Sequence, residues 1–210
     1  MNKLAIVCAV ALPAVHASAQ VSFFFDRASW EAALGGAPVT TETFDNITPQ
    51  VIDDGTTLDT GLLQIKRDGS SNDGDGFLAI EPGSSFGNLN GTNFLDGETG
   101  VEPHERVDIS FNGNSVVGFG PHWFSPFSGD GIGVEIAGEF FLLDSIDGFD
   151  QGFIGFVSTT PVNSVGILGN PAAESFQELW SADDVSYAVP SPAGVALVGF
   201  GALAATRRRR

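Results

Sequence analysis

The sequence predicts an all-β fold, an antiparallel β-sandwich with one short N-terminal helix. Three observations lead there. Short apolar or alternating runs recur between turn residues along most of the chain. The 210 residues hold 27 glycines and 18 phenylalanines, a composition suited to tight turns and aromatic packing between sheets. Helical periodicity is confined to one segment near the start of the body.

Eleven runs qualify as strands: 21–25, 39–44, 62–66, 77–80, 106–111, 115–123, 131–137, 139–143, 152–158, 162–168 and 184–189. In Val107-Asp108-Ile109-Ser110-Phe111 every second residue is apolar, as a strand with one buried face requires. Asn112-Gly113, Ala137-Gly138 and Asp147-Gly148 fall between runs and favour the positive φ angles of tight hairpins. The helix is placed by Asp26 as its cap, by Trp30, Ala33 and Leu34 on one face, and by Gly35-Gly36 as its stop. Long loops are expected at 45–59 and 81–103. So many strands in one domain exceed a minimal immunoglobulin sandwich and suit a jelly roll. No internal repeat or charged linker divides the body, which is taken as one domain over residues 20–188.

Charge is distributed in three blocks. The chain carries −17 overall, yet all 26 acidic residues lie between Asp26 and Asp184. Only Arg27, Lys66, Arg67 and Arg106 oppose them there, and four bases against 26 acids leave this segment at −22. Nucleic acid is excluded as a partner, because its binding depends on Lys and Arg neutralising phosphates. Anionic polysaccharide is disfavoured for the same reason, which leaves a neutral glycan or a cation as the better ligand class.

Residues 1–19 read as a signal peptide. Lys3 supplies the positive start, an apolar run follows from Leu4 to Val15, and Ala17 and Ala19 are the small residues before a cleavage that leaves Gln20 first. Pro13 breaks the run, which is short for a membrane span. Cys8, the single cysteine, lies inside this leader, so the exported body has neither disulfide nor thiol chemistry.

The other end, residues 189–210, has three parts in order: Val189-Pro190-Ser191-Pro192, a stretch over 193–206 without a charge, then Arg207, Arg208, Arg209 and Arg210. As a helix the uncharged stretch would cover about 21 Å, and arginines reaching to the lipid headgroups would complete a short transmembrane helix. The arginines belong on the cytoplasmic side, leaving the body outside. This order resembles the PEP-CTERM sorting signal of bacterial envelope and exopolysaccharide-associated proteins, with Ser191 where the namesake motif has Glu. The resemblance implies transient anchoring in the inner membrane, recognition near Pro190 and Pro192 by an exosortase-like processing enzyme, and delivery to the cell surface or the extracellular space. Within the body, Phe25-Asp26-Arg27-Ala28-Ser29-Trp30, Thr41-Glu42-Thr43-Phe44-Asp45 and the closing Ser181-Ala182-Asp183-Asp184-Val185-Ser186-Tyr187-Ala188 look like the opening and close of jelly-roll domains that carry such tails. That likeness implies a lectin-type or galactose-binding-like sandwich.

Candidate chemistry is sparse. The loop 68–76 offers Asn72, Asp73 and Asp75 on a flexible backbone, which could converge on Ca²⁺, although the spacing does not match an EF-hand. Asp183 is a further candidate metal ligand, set against a strand-edge turn whose carboxylate binds backbone N–H groups. His104 and His122 lack any metal-binding spacing, and no nucleophile elbow is present. Pro121-His122-Trp123-Phe124, Trp30 and Trp180 are either sugar-stacking platforms or core aromatics, with core packing the more economical assignment. The sequence therefore favours a non-enzymatic envelope or matrix protein with a structural or carbohydrate-binding role, neutral glycan or exopolysaccharide being the candidate ligand. A secreted carbohydrate-active enzyme and a Ca²⁺-stabilised adhesion module are the alternatives. The enzyme would show two facing carboxylates, one of raised pKa.

Overall fold

The computed structural model describes residues 20–67, 77–85, 90–99, 106–124, 132–143, 151–170 and 178–191. In chain order the elements are β1 (Val21–Phe24), α1 (Arg27–Ala33), β2 (Val39–Glu42), β3 (Gln50–Val51), β4 (Thr57–Asp59), β5 (Gln64–Arg67), β6 (Phe77–Glu81) and β7 (Phe94–Thr99). They continue with β8 (Val107–Ser110), β9 (Val116–Phe124), β10 (Ile132–Ile136), β11 (Glu139–Leu142), β12 (Gln151–Phe153), β13 (Gly155–Val162), β14 (Ser164–Gly169) and β15 (Glu178–Ala188).

The strands form two antiparallel sheets. The larger follows the order β1-β13-β9-β15-β7-β6-β3, with β12 also on β9 and β2 also on β15. The smaller runs β11-β10-β14-β8-β5-β4. One hydrophobic cluster joins them: Leu78, Leu95, Phe119, Trp180 and Tyr187 from the larger sheet meet Ile65, Ile109, Val134 and Ile167 from the smaller. This is a β-sandwich, as the alternating runs predict.

Ala137-Gly138 forms a hairpin turn between β10 and β11 as read. Asn112-Gly113 also turns the chain but joins β8 to β9 in different sheets, and Asp147-Gly148 lies outside the described residues. Asn112-Gly113 and Ala137-Gly138 both have positive φ at each position, 46° and 80° in the first and 54° and 83° in the second. The second matches the right-handed twist of the paired strands it joins. The helix also forms: Asp26 Oδ1 accepts from the Ser29 N–H at 2.8 Å, and the chain leaves through Gly35 and Gly36 at positive φ. Trp30 and Leu34 pack with Phe153 and Ala188 on the outer side of the larger sheet. Ala33, expected on that face, is exposed, because a helix this short lays only one turn against the sheet.

Other expectations need correction. The stretch 81–103 is not one long loop, since β7 lies within it and occupies an interior position of the larger sheet. The stretch 45–59 contains the short strands β3 and β4. Residues 152–158 divide between β12 and β13. The last strand starts at Glu178, not 184, and sits in the middle of the sheet between β9 and β7. Among the described residues no helix is long and apolar enough to cross a membrane; the transmembrane helix expected over 193–206 lies outside them.

Candidate functional site

β15 carries a bulge that reverses its facing. Trp180 and Ala182 point into the core, and so do Val185 and Tyr187. A strand that alternates strictly could not place both even and odd positions inside. Asp184 is the extra residue, with φ at 49°, and the pairing to β9 shifts between Asp183–His122 and Ser186–Gly120. Two residues on β15 therefore oppose one on β9.

Asp183, just before the bulge, faces away from the core cluster yet is 1% exposed. Its Oδ1 accepts from the Asp184 N–H at 2.7 Å, and its Oδ2 accepts from the Thr92 hydroxyl at 3.0 Å. Thr92 in turn is tied to Asn90 Oδ1 through its N–H at 3.0 Å and through its hydroxyl. Burial raises the Asp183 pKa, with the two hydrogen bonds pulling it back and Asp184 and Asp45 pushing it up. The local backbone bond fits the turn assignment, but the position is a mid-strand bulge rather than a sheet edge. Beside it, His122 Nδ1 lies 3.5 Å from Asp184 Oδ2, and its ring meets Phe153 edge-on at 5.8 Å.

A second, half-buried carboxyl occupies the same face. Asp96 on β7 pairs with Ser181, whose hydroxyl donates to its Oδ1 at 2.8 Å. Burial pushes its pKa up to about 6, Ser181 opposes the shift, and Glu81 and Glu98 add to it.

The outer face of the smaller sheet holds a different constellation. Asp108 on β8, Gly166 on β14 and Glu135 on β10 are register partners in one row across three strands. Arg106 folds over Gly166 between the two carboxylates. Its Nε and Nη2 donate to Asp108 Oδ1 at 3.1 and 2.6 Å, and its Nη1 donates to Glu135 Oε1 at 3.1 Å. Burial opposes the arginine's charge, but the bonds to Asp108 and the two carboxylates outweigh it and hold the pKa above its ordinary value. Next to this row lies a groove of about 290 Å³. The Ala137-Gly138 turn walls one side and Pro161–Ser164 the other.

The sequence-derived site residues separate clearly. Gln20 is fixed to the sandwich: its N–H donates to Thr159 Oγ1 at 3.1 Å, and its carbonyl accepts from the Thr159 N–H at 3.0 Å. At the other end the Val189 N–H donates to the Pro38 carbonyl at 3.3 Å, and Pro190 follows directly. Ala17, Ala19, Asn72, Asp73, Asp75, His104, Pro192 and Arg207–Arg210 lie outside the described residues. Among the described residues no three His, Cys, Asp or Glu side chains are grouped to hold a metal, Asp183 included. Trp30, Trp123 and Trp180 are core residues, at most 2% exposed, so none presents a sugar-stacking face. His122 and Phe124 face the other way from Trp123, which breaks up the supposed aromatic platform.

Two groupings were not anticipated from sequence, Asp96 with Ser181 and Arg106 with Asp108 and Glu135. The second had a partial signal, since Arg106 is one of four bases in the body and shares a strand face with Asp108 two residues on. Glu135 had none, because strand order decides which acid meets the arginine. In comparisons with known proteins, the chain matches no family model and no curated protein.

Proposed function

We propose that this protein is a non-catalytic β-sandwich of the bacterial envelope or extracellular matrix that binds neutral glycan. It is exported by its leader, anchored briefly in the inner membrane and released by an exosortase-like enzyme. The observation that carries the reading is the order of Pro190-Ser191-Pro192, an uncharged stretch over 193–206 and Arg207–Arg210. Every described strand lies between Gln20 and Val189, so the proposed removal of both ends spares the described sheets. A jelly-roll or galactose-binding-like topology is the finer fold proposal. It is supported by the path of the chain, which changes sheet at each step from β7 through β8 and β9 to β10.

Pulse-labelling and fractionation of host cells test the sorting. The expected result is a full-length or leaderless form in the inner membrane that gives way to a shorter form at the surface or in the medium. A single uncleaved species that stays in the cytoplasm would overturn the proposal.

The carbohydrate-active enzyme remains a second reading because of Asp96, a carboxyl raised to about 6 with Glu81 and Glu98 near it. It requires hydrolysis of a glycan that Asp96→Asn abolishes.

A further inference from the structure

The geometry points to the groove beside Arg106 as a binding site for a neutral saccharide unit. This rests on the glycan-binding reading above and gives it a place. Five N–H donors belong to a guanidinium, and Arg106 spends three of them on Asp108 and Glu135. Among the described residues the other two donors and Glu135 Oε2 have no partner, and both side chains line the groove. A donor and an acceptor held side by side suit a vicinal diol, whose two hydroxyls can accept from one and donate to the other.

The site is built before any ligand arrives. Gly166 gives the guanidinium a flat floor: a β-carbon there would lie 2.9 Å from Arg106 Cζ and closer still to Nη2. Asp108 and Glu135 fix the ring of donors from opposite strands, so little side-chain entropy is lost on binding. Ala137 and Pro161 supply small apolar surfaces for the C–H face of a sugar, and Asn163 and Ser164 add polar groups at the rim. A volume of about 290 Å³ suits a single ring rather than a long chain laid end to end. Charge sets the class of ligand. One arginine against two carboxylates leaves the trio at a net negative charge, on a body already strongly acidic. A uronate or sulfated sugar is repelled, whereas a neutral one is not.

The test is calorimetric titration of the exported protein, recovered from host cells, with neutral hexose oligosaccharides and with hexuronate oligosaccharides of matched length. The expected result is saturable binding of a neutral oligosaccharide and none of the hexuronates. Glu135→Gln weakens that binding about tenfold, the loss of a charged hydrogen-bond acceptor. Asn163→Trp, on an exposed turn, blocks the groove without entering the core. In the double variant Asp108→Asn with Glu135→Gln, Arg106 loses both carboxylates and hexuronate binding appears. Thermal unfolding of each variant separates lost binding from lost fold, and Asn163→Trp decides if Glu135→Gln does not fold. Neutral glycan bound equally by wild type and Asn163→Trp overturns the groove but leaves the glycan reading standing. No neutral glycan bound by the wild type overturns the glycan reading itself.

Discussion

Arg106 lies across Gly166, a residue sixty positions away in sequence, and each accounts for the other. The guanidinium can bridge β8 and β10 only because β14 carries no side chain at that point. Gly166→Ala should therefore displace Arg106 and weaken both ion pairs, at a cost of about 1–2 kcal/mol. In an Arg106→Ala background the same substitution should cost almost nothing. Urea unfolding of the four proteins in this cycle measures the difference. An undiminished cost in the Arg106→Ala background would mean that the glycine serves the backbone instead.

Two fully buried tryptophans offer a matched comparison. Trp30 Nε1 donates to the Phe156 carbonyl at 2.9 Å, whereas Trp180 Nε1 has no hydrogen-bond partner among the described residues. Replacing Trp180 with Phe removes an unsatisfied polar group along with apolar contacts. The same change at Trp30 breaks a hydrogen bond. Trp30→Phe should be the more costly by about 1–2 kcal/mol, read from denaturant midpoints. Equal costs would contradict the assignment of partners.

Stability should fall as pH rises from about 4 to about 7. Asp96 has a native pKa of about 6 against an ordinary value of 3.8, and Asp183 is shifted the same way. Between those values the folded state holds more protons than the unfolded chain. The favourable contribution is thus complete at the acid end and lost through pH 6. Asp26 acts in the opposite sense, its pKa lowered by the Ser29 N–H, but it is fully exposed and titrates lower. Asp96→Asn should flatten the profile and raise stability at neutral pH. A profile of unchanged slope would show that Asp96 is ionised at no cost.

Asp184 occupies the left-handed region at the bulge, where a β-branched residue is strained. Asp184→Val should cost about 1–2 kcal/mol in backbone strain alone, while Asp184→Gly should be tolerated. Thermal unfolding of the pair distinguishes strain from the loss of the His122 contact, which both variants share.

Local signals were legible where local chemistry decides the structure. Ala137-Gly138 and the Asp26 cap need only their own neighbours and form as read, whereas Asn112-Gly113 takes the expected positive φ angles but leads into the other sheet. β7 was not legible. Phe94-Leu95-Asp96-Gly97-Glu98-Thr99 reads as part of a long loop, because its glycine and acids are turn residues in isolation. In the sheet, Gly97 makes room for the Trp180 ring, whose Cζ2 would lie 2.5 Å from a β-carbon there, and Asp96 finds Ser181. The Asp183-Asp184 pair misled in the same way, since a bulge in the middle of a strand resembles the turn before one. Arg106, Asp108 and Glu135 meet only through the order β8-β14-β10, which no spacing in the chain encodes.

The central claim is that this acidic sandwich is delivered by removal of both ends. Intact-mass measurement of the protein from its native host tests that most directly. The account predicts a mature form that begins at Gln20 and lacks a C-terminal segment starting near Pro190. A soluble mature form that still ends in Arg210 would contradict it.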